Sequence, residues 1–66
     1  MREEVTNHVY QFRFHAGITQ EELALAVGVT RQTIIAIEKG NYTPSVQLAL
    51  KIAQYFHSTV EEVFQI

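Results

Sequence analysis

The 66-residue sequence predicts an all-α protein, a compact five-helix bundle with no sheet. Three observations carry that prediction. The breakers Gly17, Gly28, Gly40 and Pro44 cut the chain into helix-length pieces. The apolar residues within each piece recur at helical rather than alternating spacing. Ser or Thr stands where four of the pieces begin, as helix N-caps do.

The first helix is expected over residues 3–16, with Val5, Val9 and Phe12 facing inward and Gly17 as its stop. The second starts at Thr19, with Glu22 three residues on completing a capping box. Leu23, Ala24 and Val27 form its inner stripe, and Gly28 ends it. The third is capped by Thr30 and stops at Gly40. The fourth starts at Ser45, after Pro44, and draws its apolar content from Val46, Leu48, Ala49, Ile52, Ala53 and Phe56. Thr59 and Glu62 repeat the capping-box pattern for a short fifth helix holding Val60, Val63 and Phe64.

Composition narrows the function classes. The length allows one domain, residues 1–66, and a chain this short buries only about 60% of its unfolded surface. There is no cysteine, hence no disulfide and no thiolate metal site. His8, His15 and His57 lack metal-ligand spacing, so no metal is expected. No run approaches the ~20 apolar residues that span a bilayer, and the N-terminal stretch has no apolar signal-like core. A cytoplasmic protein without membrane contact is the expectation. Seven acids, all Glu, against five bases give a net charge of −2, so any basic surface comes from a few placed residues. No Ser-His-acid set, paired-carboxylate motif or Gly-rich phosphate cradle stands out. An enzyme, a cofactor and a small-molecule ligand are therefore not expected. Glu61 and Glu62 suit a solvated helix start.

The informative spacing is the second junction. Only Gly28, Val29 and Thr30 separate helices two and three, which forces them to cross steeply and share one small core. Ala24 is small where the backbones approach. Leu23, Val27, Val29, Ile34 and Ile37 close the corner. These offsets define a helix-turn-helix unit at about residues 19–39, the device that reads DNA major grooves. On a helical wheel, Ile34, Ile37 and Glu38 fall on one side of helix three. Gln32, Ala36 and Lys39 fall on the other, with Thr33 at the edge and Arg31 in the first turn. Arg suits guanine O6 and N7, Gln suits adenine N6 and N7, and the Ala36 methyl suits a thymine methyl. The competing reading is a solvated polar face. Gln20, beside the N–H groups that open helix two, can hold a phosphate or be an ordinary exposed residue.

The stretches GITQEELALAVGVTRQTIIAIEKGNYTPS, LALKIA and VEEVF, within residues 12–64, resemble the phage-repressor/Cro-type helix-turn-helix regulators, often called XRE-like, in their minimal single-domain form. The resemblance implies a compact five-helix bundle that binds double-stranded operator DNA, commonly as a homodimer, and regulates transcription, usually by repression. It implies base reading by Arg31, Gln32, Thr33 and Ala36. It implies phosphate contact by Gln20, Lys39, Asn41, Tyr42 and Thr43, although plain turn chemistry also accounts for the last four. It implies a partly buried ion pair between Arg13 and Glu38, a structural role in place of a catalytic acid.

Two departures follow. His57 stands where such proteins usually carry Gly, so a slightly strained cap is expected. Tyr10 and Phe14 make a second apolar face on helix one, either folded against the tail ending at Ile66 or open to a partner. That face and the acidic balance motivate a rival reading, a protein-interaction module such as an antitoxin-like partner. Ile35 lies between the core and DNA faces of helix three, and the sequence does not choose for it.

Overall fold

The computed structural model describes residues 3–66. Its elements run β1 (Thr6–Asn7), α1 (Val9–Ala16), α2 (Gln20–Val27), α3 (Arg31–Glu38), α4 (Val46–Tyr55), α5 (Val60–Val63) and β2 (Phe64–Gln65). All five helices are present. Four of them begin on a hydroxyl cap: Thr19 and Thr59 within complete capping boxes, Thr30 and Ser45 alone. Each such cap contributes about 1 kcal/mol, a large share for so small a domain.

The first helix and the absence of a sheet are corrected. α1 begins at Val9, and residues 6–7 pair antiparallel with residues 64–65, Thr6 opposite Gln65 and Asn7 opposite Phe64. The cause is local. Asn7 Oδ1 accepts the Val9 N–H at 3.0 Å, which serves the first turn of α1 and leaves the preceding backbone extended. The His8 N–H then donates to the Val63 carbonyl at 2.8 Å, tying the start of α1 to the end of α5. Val5, expected on the helix stripe, lies outside the helix and is half-buried.

The core is one cluster drawn from every helix: Val9 of α1, Leu23, Ala24 and Val27 of α2, Ile34 and Ile37 of α3, Leu48, Ile52 and Ala53 of α4, and Val63 of α5. Phe12, Ile18, Val29, Phe56, Val60 and Phe64 pack around it. Val46 is the exception to the fourth helix's expected apolar set, since its side chain stands in solvent.

Helix ends explain how so short a chain turns so often. At the end of α3, Gly40 adopts φ 80°, its N–H donates to the Ile37 carbonyl, and the Asn41 N–H reaches back to the Ala36 carbonyl at 2.9 Å. That is a Schellman closure, and it needs a left-handed residue. The same closure ends α4 with His57 at φ 56°, the strained cap expected there. An L side chain in this region costs about 1–2 kcal/mol relative to Gly.

Candidate nucleic-acid interface

α3 is a helix with one face committed to the core and one left free. Ile34 and Ile37 are fully buried. Arg31 and Gln32 are exposed in the first turn, Thr33 and Ala36 are half-buried beside them, and Lys39 is exposed just beyond the last turn. Ile35 is half-buried, at the shoulder between the two faces. The Thr30 hydroxyl accepts the Thr33 N–H at a long 3.4 Å, and the two Thr hydroxyls lie 3.3 Å apart within hydrogen-bonding reach. α2 crosses behind α3 through the three-residue turn. Gly28 sits there at φ 79°, and the Val29 N–H donates to the Ala24 carbonyl at 3.0 Å.

A polar hub fixes α3 against its neighbours. Arg13 Nε donates to Glu38 Oε2 at 2.7 Å, and Arg13 Nη2 donates to Glu38 Oε1 at 3.1 Å. This is the bidentate geometry that suits guanidinium and carboxylate. Arg13 Nη1 also donates to the Ile18 carbonyl at 3.0 Å. The two side chains are only 12% and 9% exposed. The hydrogen bond to Glu38 raises the Arg13 pKa above its ordinary value against the opposing effect of burial, with smaller help from the charges of Glu38 and Tyr10.

Gln20 joins this hub. Its Nε2 donates to Glu38 Oε1 at 3.1 Å, an internal bond that the sequence alone did not suggest. One amide hydrogen remains free for an outside acceptor. At the same end of α2, the Thr19 N–H is used by Glu22 and the Glu22 N–H by Thr19. The Gln20 and Glu21 N–H groups are thus the first-turn donors those bonds leave over. Beyond α3, Asn41, Tyr42 and Thr43 form an exposed turn beside Lys39.

The hub spends Arg13 internally, which leaves exposed Arg31 in the first turn of α3 and Lys39 just beyond its last, while exposed Lys51 of α4 lines a pocket with Thr33 and Tyr42. A residue missed by sequence reasoning is Asn7, whose Nδ2 donates to the Ile37 carbonyl at 2.8 Å. Its capping position before Val9 was a readable signal; its acceptor, thirty positions away, was not.

Tyr10 and Phe14 remain exposed, at 55% and 68%, and Ile66 is 82% exposed, so the tail does not cover them. Their rings stack at 6.2 Å, and the Arg13 guanidinium lies 5.4 Å from the Tyr10 centroid.

Two short helices crossing at a three-residue turn, with the second presenting a polar outer face, define a helix-turn-helix protein. The family model described as helix-turn-helix matches residues 9–63, and the chain belongs to that family. A relative named as an uncharacterized HTH-type transcriptional regulator of Archaeoglobus fulgidus is 52% identical over 56 residues, spanning 85% of this chain and 80% of the relative. The restriction-modification controller protein C.AhdI from Aeromonas hydrophila superposes with TM-score 0.76 at 28% identity, covering 82% of each chain. The clp gene regulator ClgR from Corynebacterium glutamicum superposes with TM-score 0.76 at 26% identity, over 82% of this chain but only 57% of its own.

Proposed function

We propose that the protein is a sequence-specific, DNA-binding transcription regulator that inserts α3 into the major groove of an operator. Family membership and a relative named as a transcriptional regulator support the regulator class. The observation that carries the reading is the divided surface of α3. Ile34 and Ile37 seat the helix while Arg31 and Gln32 stand clear of the core. Arg31 pairs with a guanine edge, Gln32 with an adenine edge, and Thr33 and Ala36 line the close approach. Gln20 with the free amides of α2, and Lys39, Asn41, Tyr42 and Thr43 on the turn, hold flanking phosphates and so set the register.

One eight-residue helix reads few base pairs, so the working unit is a cytoplasmic homodimer with its two α3 helices about 34 Å apart on a near-palindromic site. An apolar groove lined by Val5, Thr43, Pro44, exposed Val46, Ala49, Val60 and Phe64 is the surface for it. None of these residues is charged, so two copies meet without like-charge repulsion. Occupying a promoter in this way represses it.

Selection of binding sites from random duplexes tests the reading. Gln32→Ala then relaxes preference at one position, at a cost of about 1–3 kcal/mol. Equal affinity for all sequences in the parent protein contradicts base reading. The exposed Tyr10/Phe14 pair supports a second reading, an antitoxin-like interaction module. Under it no motif emerges and a tight protein partner co-purifies.

A further inference from the structure

The end of α3 opposite Arg31 is held by a residue outside the span matched to the family. Asn7 lies in β1, two positions before α1 begins. Its Nδ2 donates to the Ile37 carbonyl at 2.8 Å, and its Oδ1 accepts from the Val9 N–H at 3.0 Å. Turning the amide over would set donor against donor and acceptor against acceptor, so the two contacts fix its orientation.

The acceptor is significant. The last carbonyls of a helix lack partners within it. α3 has no basic residue in its last turn to serve them. The Gly40 N–H reaches the Ile37 carbonyl at 3.0 Å, and Asn7 supplies its second bond. The next residue, Glu38, is gripped by Arg13 of α1. The C-terminal end of α3 is therefore held at adjacent residues, one through its backbone and one through its side chain. The terminal strand pair stands behind the first grip, because Asn7 is itself registered opposite Phe64. The exposed readers of the first turn lie at the other end of the helix from these two grips, so a change in tilt at the grips displaces them.

We propose that Asn7 is a positioning residue for DNA reading. It sets the tilt of α3 against the β1–β2 pair, so base discrimination by α3 depends on how the chain's two terminal segments meet. The proposal rests on the base-reading role given to α3 above.

Asn7→Asp tests it, because it keeps an acceptor for the Val9 N–H and turns an oxygen toward the Ile37 carbonyl. Asn7→Ser is the milder partner: a hydroxyl can still cap α1 but is too short to reach α3. Ile52→Val is the control, lowering core stability from α4 without touching the clamp or the groove proposed for self-association. Two quantities are measured at a temperature where all variants are folded. One is hydrogen exchange at the Gly40 and Asn41 amides. The other is the ratio of affinities for the selected operator and for a single-base variant of it. Both Asn7 variants are expected to speed that exchange and to lower the ratio, Asn7→Ser by about fivefold, the factor carried by one hydrogen bond, and Asn7→Asp by more. The salt dependence of binding stays as in the parent for Asn7→Ser, which changes no charge and loses no phosphate contact. Ile52→Val leaves the exchange and the ratio unchanged. An unchanged ratio in both Asn7 variants overturns the proposal, as does an equal fall in Ile52→Val. A parent protein without base preference overturns the functional reading, and the proposal with it; a parent that discriminates confines any failure to Asn7.

Discussion

Removing Glu38 is the sharpest probe of how α3 is seated. Glu38→Ala deletes three hydrogen bonds, from Arg13 Nε, Arg13 Nη2 and Gln20 Nε2. It leaves a guanidinium that is 12% exposed with only the Ile18 carbonyl as a hydrogen-bond partner. Breaking a well-buried pair from one side costs about 3–5 kcal/mol, and the residual exposure here favours the lower figure, about 3 kcal/mol. A domain of this size has roughly 3–10 kcal/mol in total. The melting temperature should therefore fall by about 20 °C. Much of that loss belongs to the orphaned charge and not to the pair. Replacing both partners by apolar residues, Arg13→Met with Glu38→Leu, should accordingly cost less than the sum of the single changes, by about 1 kcal/mol or more. Thermal melts of the three variants decide the matter, with DNA binding measured below the lowest transition. Binding should survive there, because Glu38 is not among the residues proposed to read bases. A Glu38→Ala melt that coincides with the parent's would refute the assignment. The pair should also resist alkali. Arg13's folded-state pKa is raised, so its contribution is complete below the ordinary arginine value and fades only as pH climbs through the higher folded one. Melts at pH 7 and pH 10 should show no loss from this source.

Three further outcomes are expected. Gly28→Ala should cost about 1 kcal/mol in urea unfolding, because a Cβ there meets nothing within 4 Å and only the φ of 79° opposes it. His57→Gly should move the other way, stabilising by about 0.5 kcal/mol once the freer unfolded chain offsets part of the relieved strain; a loss of stability would contradict the strained cap. Val46→Glu places a charge in the uncharged groove and should weaken self-association at least about tenfold in sedimentation, the factor that corresponds to about 1.4 kcal/mol, while leaving the melt of the monomer unchanged.

What the sequence revealed was local. Thr19 and Glu22 cap within three residues of each other, as do Thr59 and Glu62, so both boxes could be read by counting. Gly28 and His57 marked left-handed turns for the same reason. The buried faces of α2 and α3 followed from helical spacing, and so did the three-residue crossing that identifies the unit. The strand pair escaped because each strand has two residues, too few to alternate, and its partner lies at the other end of the chain. The Val5–Val9 spacing then imitated a longer first helix. The exposure of Val46 was not legible, because an apolar residue at a helix start reads the same whether it meets a core or solvent. Within the candidate site, the exposed positions of α3 could be read from its wheel. The bond from Gln20 to Glu38 could not, since it depends on how two helices cross. Pairing of Arg13 with Glu38 entered through family likeness alone, because the two residues are 25 positions apart and sit on different helices.

The central claim, that α3 reads bases, is tested most directly by selecting binding sites from random duplexes with the purified protein. A near-palindromic motif with two half-sites about one helical turn apart is expected, with loss of preference at a single position of each half-site in Gln32→Ala. A parent protein that enriches no motif, or a Gln32→Ala variant that enriches the parent's motif unchanged, contradicts it.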